Sequence, residues 1–358
     1  MLAALIASAL LAIFVAWLPR HEVAGGETQP ARAVGFPATT GVVMGATPDT
    51  RRNVSAARQY DDEASREGAL LQAALVRHLR ALLHDGDARQ KILALKMLGR
   101  QDLASRRRAR IEAARLLREA PDDPIVAQAQ AWFCAGTPEG CSEADMQAWS
   151  KVEPGNAAAW AGQINAVKGD PARLDALMAQ AAQGARYESR AHEMALETVA
   201  AFDDLQLPPL GRHERRTLQE AGFGLTDAER RRLLSASYVF ALPIPAMQGI
   251  SRACRPPVSV RRARDCRAIL VPMARASSLM ERMVALGTLE KLMRGTPEGA
   301  RWAQEARRLR WWYQQFSVLI TGDVYWRDFL RLGEVEAVRR ALLASGRPLD
   351  PPASWRPG

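Results

Sequence analysis

Along most of this chain apolar residues recur three and four positions apart, the spacing that gives a helix one buried face. Leu70, Leu71, Ala74, Leu75, His78, Leu79 and Leu82 form one such stripe. Asp85-Gly86-Asp87 stops that helix and caps the next, which holds Ile92, Leu93, Leu95 and Leu98. Ile111, Ala114, Leu116 and Leu117 predict the apolar side of a third helix behind the basic run Arg106-Arg107-Arg108. Asp122-Asp123-Pro124 reads as a cap and a first-turn proline, opening the helix that holds Trp132. Further helices are expected over 187–202 and from Asp227 to about 240, with a short one at 247–253. Two more are expected between 260 and 294, parted near Pro272. Trp302, Ala306, Leu309, Trp312 and Phe316 mark the buried side of the next, and 323–332 and 335–343 close the series. The pentapeptide Gly-Thr-Pro-Glu-Gly occurs at 136–140 and at 295–299, and each copy reads as a helix start.

Where the periodicity breaks, it divides the chain. Residues 1–18 are uniformly apolar and suit a membrane anchor or an export signal. Residues 19–58, rich in Gly, Pro and Thr, read as a flexible linker. Leu205-Gln206-Leu207-Pro208-Pro209-Leu210 separates an N-terminal helical half, 59–204, from a C-terminal half, 205–346. Residues 347–358 hold four prolines and read as a loose tail.

The stretch from Lys151 to Asp170 is the most informative about architecture. Pro154 ends a helix, and Gly155 and Asn156 turn the chain and cap the next. Ala157, Ala158 and Ala159 favour helix, and Trp160 adds a large apolar anchor. Gly169 stops that helix, and Asp170-Pro171 starts another with Leu174, Leu177, Met178 and Ala181 on one side. Glu153-Pro154-Gly155-Asn156-Ala157-Ala158-Ala159-Trp160 resembles the junction between two tetratricopeptide repeats. The resemblance covers residues 146–184. It implies stacked antiparallel helix pairs, an all-α solenoid of the kind that binds a protein or peptide on its concave face.

Composition agrees with helix throughout: Ala, Leu, Arg and Glu dominate, and only 6% of residues are aromatic. The net charge of +10 comes almost wholly from Arg. It admits a nucleic acid, an anionic lipid or an acidic protein as partner. Because the Arg residues are interleaved with Glu and Asp, solvated helix faces explain them first.

The cysteines form two local pairs, Cys134 with Cys141 and Cys254 with Cys266. Behind an apolar leader, such pairs suggest disulfides and an oxidising compartment. A four-cysteine zinc site needs intervals of two to four residues, whereas six and eleven intervene here.

Local catalytic signatures do not emerge. His192-Glu193 lacks the second histidine of a zinc-protease helix, and His78 and His84 fall on different helix faces. The adjacent pairs Asp61-Asp62, Asp122-Asp123 and Asp203-Asp204 suit caps better than acid–base catalysis. Met273, Met280, Met283 and Met293 read as core filler rather than a copper(I) site. Neither metal nor cofactor is expected. The basic and aromatic run in 301–316 is the best candidate contact surface, with Trp311, Arg307, Arg308 and Arg310 foremost.

These features lead to one expectation and two rivals. The expectation is a non-enzymatic scaffold or adaptor of the bacterial periplasm. It would be anchored to the inner membrane by its first segment or released from it, and would bind a protein or peptide. The rivals are an envelope enzyme whose site is assembled from distant helices, and a basic cytoplasmic nucleic-acid-binding protein. Oligomeric state is not legible.

Overall fold

The computed structural model describes residues 48–356, except 100–102, 137–140, 221–222, 242–246 and 320–322. The apolar segment 1–18, most of the expected linker and the helix start expected at 137–140 lie outside the described residues. Among the described residues there are 17 helices and no strand. None of these helices is long and apolar enough to cross a membrane.

The first helix, α1 (Pro48–Asp85), begins inside the segment expected to be linker. Its opening residues are mostly polar and follow a first-turn proline, so no apolar stripe announces them. Asp87 then caps α2 (Ala88–Leu98) in a reciprocal box with Gln90. α3 (Leu103–Glu119) buries Ala109, Ala113 and Leu116, while Ile111 is exposed. Small alanines therefore carry much of its buried side, and of the stripe expected only Leu116 is buried. The carboxylate of Asp123 accepts from the backbone of Ile125 and Val126 at the start of α4 (Pro124–Gly136).

The junction follows. Two short helices, α5 (Glu143–Met146) and α6 (Ala148–Val152), lead to a 3-10 turn at Ala157–Trp160 capped by Asn156. α7 (Ala161–Ala166) and α8 (Pro171–Ala181) come next, α8 capped by Asp170 with Gly169 in the left-handed region. Trp160, expected as the anchor, is half-buried, and Trp149 is the buried ring instead.

Then come α9 (Ala191–Phe202), α10 (Arg212–Glu220), α11 (Asp227–Ala241), α12 (Met247–Ala253), α13 (Val260–Met273) and α14 (Leu279–Leu292). α15 (Pro297–Leu319), α16 (Asp323–Leu332) and α17 (Glu334–Ala344) complete the series.

Two hydrophobic cores hold these helices. The smaller joins α1–α4 to α9, around Leu75, Ile92, Leu116 and Phe202. The larger joins α6–α8 to α12–α17, around Met178, Ile250, Leu270, Leu289 and Trp302. A large side chain buried in either contributes about 1.5–3 kcal/mol. α4 and α9 contribute to both cores. The cores do not follow the division expected at residue 205. Helices α6–α8 precede it yet pack with the C-terminal helices, and α10 and α11 follow it yet pack on α1 and α9.

Both cysteine pairs are at disulfide distance, with Cα separations of 5.7 Å for Cys134–Cys141 and 5.6 Å for Cys254–Cys266. The second bond ties the end of α12 to α13.

Candidate functional site

Arg307, Arg308, Trp311, Trp312, Gln314 and Gln315 recur at helical spacing on α15, so they share a side of that helix. Residues 347–356, expected to be loose, lie along this side. The reason is the exit from α17. Gly346 takes a left-handed φ of 68°, and Arg347 returns its N–H to the Leu342 carbonyl, the usual closing bond of a helix end. Since α17 packs beside α15, this turn aims the tail back over α15.

The contacts are specific. The Trp311 indole donates to the Pro348 carbonyl at 2.9 Å, and the Trp312 indole to the Leu349 carbonyl at 2.8 Å. One nitrogen of Arg307 reaches the carbonyls of Pro352 and Trp355, each at 3.0 Å. Arg308 pairs with Asp350 at 2.7 Å, and Arg347 donates to Gln315. A turn then returns the chain, with the N–H of Trp355 on the Pro352 carbonyl. Trp355 donates to Gln314 at 2.9 Å, meets Trp311 edge-on at 5.8 Å and receives the Arg307 guanidinium 5.4 Å from its ring centre.

Of the four residues expected to form a contact surface, Arg307, Arg308 and Trp311 therefore meet the tail. Arg310 points elsewhere and pairs with Glu290 on α14 at 2.9 Å. Trp312, expected only to be core, does both jobs: its ring is buried and its indole N–H reaches the tail.

A second cluster joins residues that no motif connects. Glu281, in the first turn of α14, is fully buried, and neither carboxylate oxygen meets a well-placed donor. Burial pushes its carboxyl up to about 7; Ser189 pulls the other way, and the neighbouring Glu334 adds to the rise. Glu334 itself accepts the Leu279 N–H at 2.8 Å, which caps α14 from another helix, and burial raises its pKa as well. Burial and the charge of Glu281 push the Tyr187 phenol well above its ordinary value. Two crowded acids are the usual ingredients of acid–base chemistry. Here Glu281 is completely covered and Glu334 is half-buried.

At the junction, the buried carboxylate of Glu153 receives Arg186 and Arg190 at 2.6 Å and the Trp149 indole at 2.8 Å. Burial alone would raise its pKa, but these donors hold it down to about 2. Asn156 adds two bonds to the backbone of Glu188. The stretch most legible as a repeat junction is thus a clamp on the loop before α9.

The remaining expected features are structural. His78 and His192 bond the carbonyls of Ala201 and Leu330. Met273, Met280, Met283 and Met293 lie in or against the larger core. A cleft of about 320 Å³ lined by Glu143, Gln163, Lys168, Asp170 and Arg173 carries both signs of charge. Arg173 pairs with Glu143 in its wall.

Compared with known proteins, the chain matches no family model, no curated protein and no solved structure.

Proposed function

We propose that this protein is a non-enzymatic helical scaffold of the bacterial cell envelope, with its helices stacked as repeat-like antiparallel pairs and a protein partner held on their surface. The observation that carries this reading is the seating of residues 347–356 on α15, where side-chain donors grip an irregular, proline-rich segment by its backbone carbonyls. A helical body built to hold one peptide segment has the equipment of an adaptor. Two disulfide-distance pairs support an oxidising compartment, and the apolar residues 1–18 supply a route to it or an anchor in it. Glu281, whose carboxyl burial raises to about 7, is sealed in the core, which favours a structural role over a catalytic one.

Site-specific photo-crosslinking in the native cells tests the reading. A crosslinking residue is placed in turn at the exposed positions Leu70, Ile111, Val260 and Leu343 and, at the α15 face itself, at Gln314 and Ser354. A discrete protein adduct from a subset of these positions is expected. A chain that gives no adduct from any of them, while folded and disulfide-bonded, is not a scaffold.

A further inference from the structure

The α15 face and the segment on it are complementary in a simple chemical sense. The face presents donors: two indoles, Arg307 and Arg308. The segment presents acceptors, because Pro348, Pro351 and Pro352 have no N–H to satisfy. A peptide without these prolines would bring further amide hydrogens, and the side-chain acceptors on this face, Gln314 and Gln315, already receive Trp355 and Arg347. Proline also fixes φ, so such a segment has fewer conformations to lose on docking. Three side chains of the segment add specific contacts: Arg347 on Gln315, the Asp350 carboxylate on Arg308 and the Trp355 ring between Arg307 and Trp311.

The hold is also open to exchange. Asp350, Ala353, Ser354 and Arg356 are exposed, and the Arg308–Asp350 pair lies in solvent, where such pairs contribute little.

Resting on the scaffold reading, we propose that this face is a recognition site for a proline-rich, turn-forming partner segment bearing a carboxylate and an aromatic ring. Residues 347–356 are its resident occupant, and the partner segment displaces them. Because the tail is tethered directly to α17, its effective concentration is on the order of millimolar or above, so it suppresses weak binders in trans.

The test uses the full chain and a fluorescent peptide with the sequence of residues 347–358. Two forms are compared, the native chain and the double variant Asp350→Ala, Trp355→Ala, which loosens the tail and leaves α15 intact. Fluorescence anisotropy is expected to show the peptide binding the loosened chain at least tenfold more tightly than the native chain. Adding Arg307→Ala and Trp311→Ala to the loosened chain should abolish binding. A peptide with Pro348, Pro351 and Pro352 replaced by Ala should bind at least tenfold more weakly. Equal binding of the alanine peptide overturns the proline assignment. Equal binding by native and loosened chains overturns the displacement. No binding by a loosened chain that melts like the native one overturns the site. A concentration-dependent dimer that Trp355→Ala dissolves would make the occupant a second copy's tail and overturn the partner assignment. In each case the crosslinking test still decides the scaffold reading separately.

Discussion

The carboxylate of Glu153 and the guanidinium of Arg190 meet at 2.6 Å, and Arg190 is the sole described residue other than glycine with a left-handed backbone, φ 56°. That conformation costs a side-chain-bearing residue about 1 kcal/mol. The ion pair with Glu153, and a second with Glu193 at 2.7 Å, hold it in place. Glu153 sits at the turn before the 3-10 segment and Arg190 directly before α9, so their contact sets the angle at which α9 enters. Glu153→Gln should therefore destabilise the fold by about 2–4 kcal/mol at pH 7, since it leaves two guanidinium groups short of a buried partner. The dependence on pH follows from the lowered pKa. A carboxyl held at about 2 against an ordinary 4.5 contributes its full stability above pH 4.5 and loses it as pH falls toward 2. Urea unfolding at pH 7 and pH 3 checks this. The gap between native and variant should narrow at the lower pH, and a constant gap would refute the assignment.

Glu281 behaves in the opposite sense. Its carboxyl titrates near 7 in the folded chain and at an ordinary 4.5 when unfolded. The folded state thus keeps the proton longer, and stability is lost as pH rises from 4.5 to 7. The groups that face it are Glu334, Tyr187 and Ser189, none of which supplies a positive charge. Glu281→Gln should leave stability unchanged at pH 4 and raise it at pH 8 by up to about 3 kcal/mol. Thermal unfolding of both chains across that range provides the comparison.

Lys96 is buried in the smaller core, with its ammonium 3.1 Å from the Met194 sulfur. Burial lowers its pKa from 10.5 to about 8. A base that gives up its proton sooner when folded makes the fold less stable below the folded pKa, and stability recovers as pH climbs from 8 to 10.5. Lys96→Met keeps the length and removes the charge. It should stabilise the protein by about 2–3 kcal/mol at pH 7 and by much less at pH 10, read from urea midpoints.

These three sites differ in how far the sequence discloses them. Helices with a leucine stripe, such as the part of α1 around Leu75 and Leu79, show themselves by spacing alone. The short helix at 247–253 shows itself because prolines bracket it. The mostly polar residues 48–58 leave no stripe, and in α3 buried alanines compete with an exposed Ile111 for the apparent core side. The contact surface was half legible: Trp311 stands out as an aromatic that the core does not need. Its partner stays hidden, because Trp311 meets a backbone carbonyl 37 positions away, and carbonyls have no sequence signature. Glu281 and Glu334 are likewise brought together only by the packing of α14 against α17's start.

The cysteine pairs close short loops, with sequence separations of 7 and 12. In the chain-entropy account each adds roughly 2–3 kcal/mol. Replacing Cys254 and Cys266 together by Ser should lower stability by that amount, and reductant should lower the melting temperature of the native chain but not that of a chain lacking all four cysteines. The intact mass of protein isolated from its own cells, with a thiol label, gives the cellular counterpart. Four blocked cysteines are expected, and four labelled ones would remove the oxidising compartment from the functional reading.

Gly249 of α12 lies against the backbone of α7, so closely that a methyl group added there would sit 2.6 Å from the Cα of Asn165. Arg252, three residues on, fixes the same approach by donating to the Asn165 side chain at 2.9 Å. Two helices more than eighty residues apart in sequence thus touch through their main chains, on either side of the boundary that the prolines at 208 and 209 suggest. Gly249→Ala must push α12 away from α7 and open the larger core, at an expected cost of about 1–3 kcal/mol or more. Gly155→Ala is the matched control, because a methyl group there meets nothing within 4 Å. If the larger core is one unit, Gly249→Ala lowers the unfolding temperature of α7, α8 and α13–α15 together. Hydrogen exchange followed by fragment mass measurement reads this directly. Faster exchange in α12 alone, with α7 and α8 unchanged, would mean that the segments before and after residue 205 are separate folding units.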